Sequence, residues 1–240
     1  MTDTTDTAGP ATLSIVEGVA TLQLDDGKAN ALSHEMLQGI ESALEQVEAS
    51  DAKVLVVIGR EGKFSAGFDL KVMTAGAQQA RDLLGRGAEL GLRLYEFPIP
   101  VVFGVTGHAL AMGGILLSCA DVRVGAAGNF KIGLPEVRIG MPVPAFAVEL
   151  CRDRLSPQAF TRAVQLAESF DPDQAAAAGF LDEVVAADQV AGRVAEVAAE
   201  LAEAIHDVPF RLTRRTVRGE LAAKLRDALE ADLAGFQVSD

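Results

Sequence analysis

Two glycine turns and one carboxylate are the residues of this chain whose types and spacing could do chemistry. The first turn is Phe64-Ser-Ala-Gly-Phe-Asp-Leu70, where small residues ahead of Phe68 let a ligand approach the main chain and Asp69 can cap a short helix. The second is Gly107-His-Ala-Leu-Ala-Met-Gly-Gly114, in which Gly113-Gly114 opens an apolar helix and leaves unpaired N–H groups at its positive end. Alone, the first reads as a tight strand-to-helix turn and the second as close helix–strand packing. Together, two amides from separate strand–helix junctions that converge on one point make an oxyanion hole, in which a single donor is typically worth about 10²–10³ in rate. The carboxylate is Glu136. By itself it reads as an exposed loop acid, although Ile132, Leu134, Val137, Ile139 and Met141 around it are apolar enough to raise its pKa.

Several other chemistries lack their motif. The glycine turns have neither the GxxxxGK[ST] pattern of a phosphate loop nor a GxGxxG fingerprint. No G-x-S-x-G elbow supports a serine nucleophile, so Ser65 and Ser118 read as small packing residues. His108, beside a buried strand, reads as a hydrogen-bonded structural residue. Glu149 and Asp121 are the candidates for a second acid, and Asp121, which opens a strand, reads as structural.

The elements that must position these groups follow from hydrophobic periodicity. Residues 13–24 predict two short strands joined at Glu17-Gly18. Asn30 and Ser33 can cap a helix whose apolar positions are Met36, Leu37, Ile40, Leu44 and Val47. The runs 54–58, 101–105 and 121–124 read as strands covered on both faces. Each precedes a glycine turn and a short helix, at 69–73, 113–119 and 144–151. Repeated strand–helix units with buried strands indicate an α/β fold. Beyond Pro157 the chain turns alanine-rich and helical, with helices expected at 158–168 and 191–206 and a last short strand at Val184-Val185. The expected organisation is a disordered tail at 1–10, a core at 11–156 and a helical C-terminal region at 157–240.

The bulk properties exclude some functions. With 240 residues, 49% of them hydrophobic, the chain can bury roughly three quarters of its unfolded surface. A formal charge of −13 argues against nucleic acid, which needs clustered Lys and Arg. Cys119 and Cys151 read as reduced packing residues. The polar, acidic first ten residues do not read as a signal peptide, and residues 98–117 are too interrupted by proline, glycine and histidine for a membrane span. A soluble, cytoplasmic protein is expected.

The blocks FSAGFDL, GHALAMGGILLSCADVRV and KIGLPEVRIGM, in this order and spacing, resemble the signature blocks of the crotonase (enoyl-CoA hydratase/isomerase) superfamily. The likeness runs from about Leu13 to Ile205, and KANALS at 28–33 is similar to the family's CoA-contacting stretch. The resemblance implies a spiral ββα core, a homotrimer or dimer of trimers, an acyl-CoA thioester as substrate, and no metal or redox cofactor. It implies oxyanion amides at Phe68 and Met112, catalysis by Glu136, and substrate contacts at Ala29, Ala66, Gly67, Asp69, Leu70, Gly113 and Ile115. Hydratases of the family use two glutamates; the first falls at Ile115 here, and an isoleucine cannot move a proton. A lone carboxylate facing an oxyanion hole suits a different reaction, the shift of a 3-enoyl-CoA double bond to 2-enoyl-CoA. FSAGFDL, LRLYEFP and IGLPEVRIGM also look like the mitochondrial-type 3,2-enoyl-CoA isomerases, whereas Pro135 is the hydratase-style neighbour of the glutamate. The implied activity is thus an isomerase. The alternatives are an enoyl-CoA hydratase of fatty acid β-oxidation, a thioesterase or decarboxylase acting on an acyl-CoA, and a non-catalytic acyl-CoA-binding protein.

Overall fold

The strands Ala11–Val16 and Val19–Leu24 pair antiparallel about Glu17 and Gly18, both at positive φ, as a two-residue hairpin requires. The computed structural model describes residues 5–6 and 9–235. Val19–Leu24 then pairs in parallel with Val54–Ile58, and the ladder continues in parallel through Val101–Val105, Val122–Ala126 and Glu183–Val185. Every residue of Val54–Ile58 and Val101–Val105 is buried, which is why these runs lack polar alternation. Their side chains divide by parity: Leu55, Val57, Val101 and Phe103 enter the main core, while Val54, Val56 and Val102 meet the helix Val190–Ala204 on the other face.

Each central strand passes into a second, smaller sheet before its helix starts. Val54–Ile58 leads to Gly62–Ser65 and the helix Leu70–Met73; Val101–Val105 leads to Gly107–Leu110 and the helix Met112–Leu117. Val122–Ala126 leads likewise to Ile132–Gly133 and the 3₁₀ turn Glu136–Ile139. This is the ββα spiral, and it lines up the C-terminal ends of three short strands at one place. Crossing between sheets requires glycine at Gly107, where a Cβ would lie 2.0 Å from the Gly62 carbonyl carbon.

Several elements depart from the sequence expectations. The 19-residue helix Ala77–Tyr95 lies where no helix is expected, although it carries an apolar face, and the helical C-terminal region contains one 29-residue helix, Asp207–Gly235. The helix expected at 158–168 spans Pro157–Phe160 and one π turn at Thr161–Gln165, ending before the short strand Ser169–Phe170. Ser33 caps His34–Glu48 by accepting the Met36 N–H at 3.2 Å; Asn30 does not cap it. Ala222, Leu225 and Leu229 join the same apolar core as the residues ahead of Pro157. The expected tail at 1–10 lies mostly outside the described residues, within which Thr5–Asp6 pairs with Leu13 and Ser14. Among the described residues no helix is long and apolar enough to cross a membrane.

Candidate active site

The first glycine turn is held by a loop from the other side of the sheet. Asn30, fully buried with φ near +50°, donates from Nδ2 to the carbonyls of Leu24 (2.9 Å) and Phe64 (3.2 Å). Ser65 Oγ donates to Asn30 C=O at 2.8 Å, and Ala66 N–H to Ala29 C=O at 3.0 Å. Gly67–Phe68 then forms a short parallel ladder with Ala31–Leu32, with Asp69 N–H donating to Leu32 C=O at 3.3 Å. In that register the Phe68 N–H is turned away from its strand partner, because only alternate residues bond across a parallel ladder. Asp69 caps Leu70–Met73 by accepting the Lys71 N–H at 2.8 Å.

The second turn opens the helix Met112–Leu117. Ala111 holds φ 52° and ψ −128°, a costly conformation for a residue with a Cβ. Its N–H donates to Gly133 C=O at 3.0 Å, and its C=O takes the first helical bond, from Ile115 N–H at 3.0 Å. The amides of Met112, Gly113 and Gly114 therefore occupy the first turn, ahead of the helix's own hydrogen bonds.

These two turns touch. A Cβ on Gly67, at φ +88°, would lie 2.7 Å from Ala111 Cβ and 3.1 Å from Met112 N, and one on Gly113 would lie 2.5 Å from Ser65 O. Absence of side chains at Gly67 and Gly113 is what lets the two turns pack against each other.

A cavity of about 180 Å³ opens over this junction. Ala66, Phe68, Ala111 and Ile115 form its floor, and Leu70 and Ile139, 65% and 55% exposed, stand at its mouth. Met73, Leu84 and Phe146 close the buried end. Glu136 is the only ionisable side chain among its lining residues. It is 7% exposed, and its Oε2 has no hydrogen-bond partner. Burial, opposed only by a bond to its own backbone amide, pushes its carboxyl up to about 7. Among the described residues a larger groove, of about 590 Å³, runs between Val19, Val56 and the helix Val190–Ala204. It is remote from both glycine turns and has no comparable buried, unpaired acid, so its size carries no catalytic weight.

Of the residues singled out in the sequence, Glu136, Phe68, Ala66, Leu70 and Ile115 line the cavity. Gly67, Met112 and Gly113 lie directly behind its floor, at the contact between the turns. Ala29 reaches the site only through its carbonyl, and Asp69 is engaged as a helix cap. The other acids considered lie outside the cavity: Asp121 pairs with Arg214 and Arg218, and Glu149 with Arg152. His108 Nδ1 accepts the Lys131 N–H at 3.0 Å, and burial followed by the charges of Lys63 and Lys131 holds its pKa low. Cys119 and Cys151 are free and fully buried, and burial raises both thiols to about 12. Sequence reasoning missed Asn30 as the pin of the first turn and Leu84 and Phe146 as walls. The helical apolar spacing of Ala80, Leu83, Leu84 and Ala88 could have revealed the helix, though not what it faces.

Comparison with known proteins agrees with this geometry. The family profile described as enoyl-CoA hydratase/isomerase matches residues 14–238. A solved enoyl-CoA hydratase/isomerase family protein from Pseudomonas syringae is 41% identical, with a TM-score of 0.92 over 95% of this chain and 98% of its own. An enoyl-CoA hydratase from Mycobacterium marinum is 38% identical, with a TM-score of 0.90 over 95% of this chain and 100% of its own. The mitochondrial enoyl-CoA delta isomerase 1 of Mus musculus is 33% identical over 96% of this chain and 79% of its own length. Names of both activities thus occur among the similar proteins. The chain belongs to the enoyl-CoA hydratase/isomerase family, the crotonase superfamily, and has its fold.

Proposed function

We propose that the protein shifts the double bond of a 3-enoyl-CoA to give the conjugated 2-enoyl-CoA, with Glu136 as its only acid–base group. The observation that carries this reading is the lining of the cavity: one carboxylate, with Ile115 on the floor below it. The thioester oxygen sits against the Phe68 and Met112 N–H groups. The Glu136 carboxylate removes a proton from C2, the electron pair moves into the thioester, and the two amides hold the resulting dienolate oxygen. The Glu136 carboxylic acid then returns the proton to C4, and the double bond settles between C2 and C3. A carboxyl that titrates near 7 suits both halves of this exchange, because it can take and give a proton at neutral pH. Oε2 has no hydrogen-bond partner, so no existing bond at that oxygen has to break for the transfer. Hydration would need a second group to handle water, and the cavity lining offers none.

No cofactor enters this scheme, since coenzyme A is part of the substrate. Assembly as a homotrimer or dimer of trimers fits Val208, Leu212 and Val217, which are exposed on the helix Asp207–Gly235. The test compares initial rates on 3-enoyl-CoA and 2-enoyl-CoA for the wild type and Glu136→Gln. Expected is conversion of the 3-enoyl ester, with no hydration of the 2-enoyl ester and loss of turnover in the variant. Efficient hydration by the wild type would replace this reading with the hydratase one, and absence of turnover on either would favour a binding protein.

A further inference from the structure

The helix Ala145–Arg154 carries Phe146 into the buried end of the cavity, yet it begins without a cap of its own. Pro144 occupies the N-cap position and has no side-chain acceptor for the first amides. The acceptor comes from the far end of the chain. Asp232 Oδ1 takes the Ala145 N–H at 3.2 Å, and Asp232 Oδ2 takes the Phe146 N–H at 3.3 Å. A carboxylate at that end of a helix also faces its positive pole.

The neighbouring residue acts on the opposite wall. Leu233 Cδ1 would lie 3.1 Å from a Cβ on Gly85, beside Leu84, which also closes the buried end. Leu225 and Leu229, both buried, and the Arg226–Glu96 ion pair fasten the same helix to the body. One turn of the last helix therefore touches both helices that shape the inner end of the cavity, at Phe146 (1% exposed) and Leu84 (3%). With the thioester at the glycine turns and the mouth at Leu70 and Ile139, this inner end is where an acyl chain terminates.

We propose that Asp232 is a positioning residue for acyl-chain selection. By capping Ala145–Arg154 it fixes Phe146, and with Leu233 against Gly85 it holds Leu84, so that the last turn of the last helix sets the depth of the acyl pocket. Asp232 touches no reacting atom. The inference rests on the reading that an acyl-CoA thioester fills this cavity, but not on turnover, so binding tests it.

Dissociation constants for butanoyl-CoA, decanoyl-CoA and free CoA are measured by calorimetry on the wild type, Asp232→Ala, Asp232→Asn and Leu233→Ala. Asp232→Ala is expected to weaken butanoyl-CoA about fivefold, the scale of one lost helix cap. Free CoA keeps its affinity, and decanoyl-CoA binds as well or better because the loosened wall admits it. Asp232→Asn retains an acceptor and stays within about twofold of the wild type. Leu233→Ala shifts the butanoyl-to-decanoyl ratio in the same direction and carries the test should Asp232→Ala fail to fold. An unchanged ratio in Asp232→Ala and Leu233→Ala, or equal losses for all three ligands, overturns the proposal while leaving the acyl-CoA reading standing. A wild type that binds none of the three overturns both.

Discussion

Glu136 and Asp121 are carboxylates on turns of the same spiral core, and their surroundings give them opposite work. Asp121 accepts the Val101 N–H at 2.8 Å and pairs with Arg214 and with Arg218 at 2.9 Å. Arg214 also donates to Phe97 C=O, and Arg218 to the carbonyls of Tyr95 and Cys119. The cluster joins the last helix to the strand ends. Among the described residues no cation pairs with Glu136, and one of its oxygens has no partner. A carboxylate saturated with donors serves as an anchor. A desolvated one without partners holds its proton more tightly and can give it up to a substrate. What separates the anchoring acid from the proposed catalytic one is the supply of donors, not the residue type.

Removing the two carboxylates should therefore do different things. Asp121→Ala strands two largely buried guanidiniums, at a cost of about 3–5 kcal/mol. At a few degrees per kcal/mol for a chain of this size, the melting temperature should fall by about 10 °C in calorimetry. The kcat of the protein that remains folded should stay close to wild type. A small change in melting temperature would show that the cluster is not an anchor.

Glu136→Gln should reverse the pattern: kcat falls by about 10²–10⁴, with binding of acyl-CoA preserved. Its stability should also respond differently to pH. Because the folded-state pKa, about 7, lies above the ordinary 4.5, the unfolded chain ionises first and wild-type stability declines as pH rises between these values. The Gln variant lacks this contribution, so its denaturation midpoint should be flatter across that window. In the wild type, kcat/KM should rise with pH and level off above about 7, as the base becomes ionised. A midpoint whose pH slope is the same in both proteins would mean that Glu136 is solvated.

Ile115→Glu should produce the smallest effect. It places an acid on the cavity floor, giving weak hydration of 2-enoyl-CoA, read as loss of absorbance, in a less stable protein. The new side chain is buried near a like charge, so one of the two acids is held protonated and the gain is modest. A variant that folds, binds and hydrates no better than the wild type would show that Ile115 is not the determinant.

The same contrast explains what the sequence revealed. The hairpin at Glu17-Gly18 and the buried strands were legible because turn chemistry and continuous β-branched runs are local signals. The glycine turns and Glu136 stood out as residue types, and their shared cavity is a product of the spiral, which aligns strand ends separated by dozens of residues. Partners were not legible. Nothing near Asp121 in the chain announces Arg214, and nothing near Pro144 announces Asp232, since these contacts span 93 and more than 80 residues. Asn30 misled for a related reason. Asparagine favours both caps and positive φ, and burial against Leu24 and Phe64 decided for the second. The helix expected at 158–168 is present over 157–165 but ends in a π turn three residues early, because the chain must reach Ser169–Phe170 to pair with Ile132–Gly133.

The most direct test of a single-carboxylate isomerase follows the proton itself. A 3-enoyl-CoA deuterated at C2 is converted by the wild type in ordinary water, and the product is analysed by mass and NMR for deuterium at C4. If Glu136 alone carries the proton, part of the label should appear at C4, diluted by exchange of the carboxylic acid with water, and none should be transferred by Glu136→Gln. Product in which C4 never receives label, formed at the full rate, would mean that a second group delivers the proton and would contradict the account.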